Sequence, residues 1–102
     1  MTISSPLPDS VVTSPLSVSG FAKGTWFFEA NIPVSLEDED GNVIVQVGGM
    51  AQSEWMTEDF VPFAAELVFT TDKENGWLVI RKDNPSALPE YDAEFRIPVK
   101  FR

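Results

Sequence analysis

The chain has 102 residues, enough for one domain, expected to span residues 1–102 and to bury about two-thirds of its unfolded-chain surface. Sixteen acidic residues against seven basic ones leave a net charge of −9, so no nucleic-acid partner is expected and anionic membrane surfaces are poor partners, because phosphates are repelled. Histidine and cysteine are both absent, which removes the commonest general base, the commonest thiol nucleophile and any disulfide or thiolate metal site.

Taken in chain order, the sequence reads as strands. The opening MTISSPLPDSVV lacks the charged and apolar regions of a signal peptide, and an edge segment is expected around Ile3 or Val11-Val12. Leu16, Val18 and Gly20 alternate with serines, a period of two that marks a half-buried strand. The longest alternation is WFFEANIPVSLE, with Trp26, Phe28, Ala30, Ile32, Val34 and Leu36 on one face. A turn at Asp40-Gly41-Asn42 leads to Val43, Val45 and Val47. Phe63, Ala65, Leu67 and Phe69 then point inward with Glu66 outward. Asn75-Gly76 reads as a hairpin signal before Trp77–Lys82, and Phe95, Ile97, Val99 and Phe101 form a last inward set. Pro33, Pro62 and Pro98 fall on the outward phase, where a missing N–H suits an edge, a bulge or a non-bonding position.

Helical periodicity is lacking throughout, although Thr57-Glu58-Asp59 could cap one short turn. No run of about 18 apolar residues offers a membrane span. Some seven short strands separated by turns give an all-β, antiparallel sandwich. Its core is expected to hold Val18, Trp26, Phe28, Val34, Leu36, Val45, Phe63, Leu67, Phe69, Ile80, Phe95, Ile97 and Val99.

The order of short motifs carries a resemblance. Ser5-Pro6, Pro8, Val12, Ser14-Pro15-Leu16, Val18, Gly20, Ala22, Phe28-Glu29 and the Asp38–Gly41 turn, followed by WMTEDFVPF, GWLVIRKDNPSALPE and IPVKF, resemble the immunoglobulin-like domain of bacterial spore germination, the second of the germination-associated Gmad domains. The likeness runs over nearly the whole chain. It implies an immunoglobulin-like sandwich and an extracytoplasmic module of the cell envelope, often attached to a membrane-anchored or lipoprotein chain, with no catalytic residues and no cofactor to carry over. On this reading the chain is a non-enzymatic, monomeric interaction module for an envelope protein or glycan. A structural spacer between neighbouring domains is the alternative.

Candidate chemistry is sparse. Glu37-Asp38-Glu39-Asp40 sits in a turn, where carboxylates are better read as solvated than as a glycosidase pair. Asp38, Asp40 and Asn42 could offer oxygens to calcium, but Leu36 occupies the place where the loop motif needs its first aspartate, so no metal site is expected. Phe27, Trp55 and Trp77 are aromatics whose phase does not settle whether they pack or bind.

Strand counting locates a candidate binding end. Because each antiparallel strand crosses the domain, alternate connections emerge together. Residues 22–25, 53–59 and 83–91 are therefore expected at one end, and 38–42 with 72–76 at the other. The first end combines Trp55, Met56, Leu88 and Tyr91 with Asp83, Asn84 and Glu90, the candidate binding residues. The competing expectation is that Trp55, Met56 and Leu88 turn inward and plug the sandwich.

Overall fold

In the computed structural model every residue except Ala87 is described, and of Tyr91 only the backbone. Seven strands form: β1 (Thr2–Ser5), β2 (Leu16–Lys23), β3 (Asn31–Asp38), β4 (Val43–Ala51), β5 (Phe60–Leu67), β6 (Asn75–Arg81) and β7 (Glu94–Lys100). All neighbours are antiparallel, in the order β1-β2-β5-β4-β3-β6-β7. The helical turns described are two single 3-10 turns, Gly24–Trp26 and Pro89–Tyr91.

The hydrogen-bonded sheet is continuous, yet it curls into two facing halves. The seam between β5 and β4 is only two residue pairs long, Met50 with Ala64 and Ala51 with Phe63. Val18, Phe63 and Leu67 of one half share a single buried cluster with Ile32, Val34, Leu36, Leu78, Ile80 and Val99 of the other. The segment after β1 crosses to the far edge, where Val11 bridges Lys100 in parallel and Asp9 N–H donates to the Pro98 carbonyl. Edge strand β7 is thereby partly covered, which discourages edge-to-edge pairing.

The three strand prolines take outward positions. Pro33 pairs with Gly48, while pairing of β3 with β6 begins only at Val34, so its missing N–H removes no bond on the β6 side.

Two expectations require correction. The run from Trp26 to Leu36 is not one strand. Trp26 ends the first 3-10 turn, and β3 begins only at Asn31. The alternation inverts across the intervening turn, so Phe27 is buried at 4% exposure and Phe28, expected in the core, is 43% exposed. Trp26 is half-buried against the core, as are Val45, Phe69 and Phe95. Asn75-Gly76 makes no hairpin either, because both residues lie within β6, opposite Lys100 and Val99. Gly76 is needed there for close approach: a Cβ would strike the Glu37 carbonyl and the Phe101 ring.

Candidate functional site

The connections 24–30, 52–59 and 82–93 meet at one end, as strand counting expects. Gly24 N–H donates to the Asp59 carbonyl at 3.0 Å, and Asp83 N–H to the Trp26 carbonyl at 2.9 Å. A Cβ on Gly24 would collide with the carbonyls of Trp55 and Thr57, so glycine lets the second loop lie directly on the first. The first connection closes with a two-residue turn at Glu29 (φ 51°) and Ala30 (φ 64°). Phe28 and Asn31 exchange both backbone hydrogen bonds across it, each 2.9 Å. Two left-handed residues match a type I′ turn, usually made with glycine or asparagine. Here the Ala51 N–H holds the strained pair in place by donating to the Ala30 carbonyl.

Each candidate residue has a distinct position. Trp55 is half-buried and packs against the core, so it does plug the sandwich. Met56 does not, at 76% exposure, nor does Leu88, at 46%. Trp55 and Met56 join Gly24, Thr25, Phe27, Thr57 and Glu58 around a cleft of about 370 Å³. Asp83, Asn84, Leu88 and Glu90 do not line that cleft. They belong to the adjoining loop, which Asp83 ties to the first residue of β3 by accepting from Asn31 Nδ2 at 3.4 Å. Asn84 works within its own loop: its Nδ2 donates to the Leu88 carbonyl at 2.8 Å and to Asp92 Oδ1 at 2.7 Å. It therefore shapes the loop that presents Leu88. Glu90 is exposed, and the Tyr91 side chain lies outside the described residues.

The acidic turn at the other end is a closed structure. Asp38 is buried at 5% exposure and its carboxylate accepts from the N–H groups of Asp40 and Asn42, each at 2.9 Å, and from Asn42 Nδ2. The backbone hydrogen bond from Asn42 is the chief cause that holds the Asp38 carboxyl below its ordinary pKa. Gly41, with φ 87°, takes the left-handed position.

Sequence reasoning missed one polar cluster, on the outer face of β3, β6 and β7. Glu37, 3% exposed, contacts Arg81 at 2.7 Å and Arg96 at 3.7 Å, and Glu94 contacts the same arginines at 3.6 and 2.7 Å. Arg81 also donates to Ser35 Oγ, and the Arg96 guanidinium lies 5.6 Å from the Trp77 ring centroid. These long side chains roof the face, leaving outward-pointing Ser35 and Val79 buried. Trp77 is thus packed on an outer sheet face. Outward phase at Glu37, Arg81 and Arg96 was the available signal, but the strand register that joins them was not.

Comparison with known families decides the class. The family described as the immunoglobulin-like domain of bacterial spore germination matches residues 1–87. The chain belongs to this family. As an immunoglobulin-like module it places the converging loops and the Asp38 turn within the matched stretch, apart from the end of the third loop. The following residues contain β7, which completes the sheet and adds Ile97 and Val99 to the core. Neither a curated protein nor a solved structure matches the chain. Among the described residues, no helix is long and apolar enough to cross a membrane, and no group of acidic side chains is arranged to hold a metal ion.

Proposed function

We propose that the chain is a non-catalytic, extracytoplasmic interaction module of the bacterial cell envelope, folding over residues 1–102 as one domain and binding through its three-loop end. One observation carries this reading. The loops are fastened to one another by backbone hydrogen bonds, yet Met56, Leu88 and Phe28 remain exposed on them, Met56 at a cleft that Trp55 also lines. Apolar side chains held outward on fixed loops are suited to recognition, because little ordering entropy remains to be lost on binding. The family supports the envelope location by its association with spore germination. The lack of histidine and cysteine supports a non-catalytic role.

An envelope protein is favoured over a glycan as partner. Within the three loops Met56, 76% exposed, and Leu88, 46%, are the most exposed apolar groups, and flexible side chains suit protein surfaces, whereas the larger aromatic Trp55 is packed against the core and Phe28 offers a sugar only a partly exposed ring. The test is capture of solubilised envelope proteins and of peptidoglycan fragments by the parent, Met56→Ser and Leu88→Ser chains. Loss of protein capture in both variants, with melting unchanged, is expected. Undiminished capture by both variants would place the contact elsewhere, and capture of peptidoglycan alone would replace the protein partner with a glycan.

A further inference from the structure

The outer face of β2 and β5 is half apolar and ordered in rows. Register pairs Lys23 with Phe60, Phe21 with Pro62, Ser19 with Ala64 and Ser17 with Glu66, and all eight side chains alternate away from the buried residues. Phe21 is 43% exposed and Phe60 55%, and Met50, 52% exposed, continues the face from β4 beside Ala64. Bulk and charge are unevenly distributed along it. The two rows nearest the three-loop end carry the phenylalanines, Pro62 and the lysine. The other two carry small residues and the glutamate, and between them and Met50 lies a hollow of about 410 Å³ lined by Ser17, Ser19, Ala64 and Glu66. Neither Lys23 nor Glu66 takes part in the Arg81 and Arg96 ion pairs seen among the described residues.

We infer that this face pairs with the same face of a second copy of the chain. A two-fold axis lying in the interface, crossing the strands between the second and third rows, reverses the order of the rows. The Lys23–Phe60 row of one copy then meets the Ser17–Glu66 row of its twin, and Phe21–Pro62 meets Ser19–Ala64. Because this axis keeps β2 over β2 and β5 over β5, Phe21 faces Ser19, Pro62 faces Ala64, and each lysine, over Ser17, lies one strand across from a glutamate, so the surface is complementary to itself, as an isologous dimer requires. Face-to-face sheets pack about 10 Å apart with strands within about 30° of each other, a gap that the phenylalanines fill by entering the hollow of the twin. Four rows on two strands are few for a permanent interface, and a net charge of −9 on each copy opposes association. The dimer is therefore weak, with Kd on the order of 0.1 mM. It replaces the monomer expected from sequence and leaves the three-loop ends of both copies free.

Sedimentation equilibrium of the isolated chain, from about 10 µM to about 1 mM, tests the pairing. Lys23→Glu and Glu66→Lys are each expected to weaken dimerisation by about tenfold or more, through like charges brought together, and the double exchange to restore it. Glu66→Lys discriminates sharply, because it lowers the net negative charge and on general repulsion alone would strengthen association. Phe21→Ser is expected to weaken the dimer as well, with folding of every variant checked by thermal melting. A monomer throughout the concentration range would overturn the inference. So would a dimer that Glu66→Lys strengthens, or one that both single exchanges leave unchanged.

Discussion

Adjacent phenylalanines offer a stringent test of the fold. Phe27 is 4% exposed and meets the Phe63 ring at 6.4 Å between centroids, with the planes at 65°. Phe28 is 43% exposed, and what it gives the turn it gives through its backbone N–H and carbonyl. Truncation of Phe27 to alanine removes a full buried ring and leaves a cavity, costing about 3–5 kcal/mol, of which the edge-to-face ring pair accounts for about 0.5–1.5 kcal/mol. The same change at Phe28 forfeits only the covered part of the ring, about 1 kcal/mol by area. Since domains of this size are stable by about 5–15 kcal/mol, Phe27→Ala should lose a large share of the stability while Phe28→Ala keeps most of it. Urea denaturation measures both, and comparable m-values would show that stability, rather than denatured-state compactness, has changed. Equal midpoints, or a larger loss for Phe28→Ala, would refute the inverted phase.

Other outcomes follow from the polar groups. Glu37→Ala strips Arg81 and Arg96 of their buried partner. Hydrogen bonds to charged groups contribute about 1.5–3 kcal/mol, and with both arginines more than a third exposed and Glu94 still in contact the loss should be nearer 1–2 kcal/mol. That lowers Tm by about 4–16 °C, and a shift under about 2 °C in a thermal melt would show the cluster to be inert. The Asp38 carboxyl, held low mainly by the Asn42 N–H, binds a proton more readily in the unfolded chain than in the folded one. Its stabilisation is complete above the ordinary carboxylate pKa and is lost as pH falls below about 4. Acid titration of stability should therefore flatten in Asp38→Asn relative to the parent, and identical acid profiles would contradict the capped turn. Gly24→Ala forces the second loop off the first, so amide exchange should quicken in residues 52–59 while β6 and β7 keep their protection. Uniform loss of protection would show the contact to be part of the core instead.

Much of the sandwich was legible because its strands obey a clean period of two. Ile32, Val34 and Leu36 of β3 and Ile97 and Val99 of β7 lie inside as the alternation requires. The error at Trp26 and Phe28 has a specific origin. Glu29 and Ala30 form a left-handed turn with no glycine, asparagine or proline at its two central positions to announce it, so the alternation seemed to continue through a reversal. Asn75-Gly76 misled in the opposite sense, since glycine serves a tight turn and a close backbone approach equally well, and only the neighbouring Glu37 carbonyl and Phe101 ring distinguish them.

Convergence of the loops was readable from strand direction alone, because each antiparallel crossing returns the chain to the same end. Which side chains face outward was not. Trp55 packs down and Met56 points away although they are sequence neighbours, in a loop whose Trp55 and Thr57 carbonyls rest on Gly24. The Glu37–Arg81–Arg96–Glu94 cluster needs the register of three strands to assemble, and register is not expressed in the spacing of charges along one chain.

Site-specific photocrosslinking in bacterial cells addresses the binding end most directly, with a benzophenone side chain placed singly at Met56, Leu88, Asp40 or Lys73 of the envelope-targeted chain. Met56 and Leu88 belong to the three-loop end, whereas Asp40 and Lys73 lie in connections at the opposite end. Binding through the loops predicts discrete protein adducts from positions 56 and 88 and none from 40 and 73. Adducts from positions 40 and 73 alone, or the same adducts from all four, would contradict it.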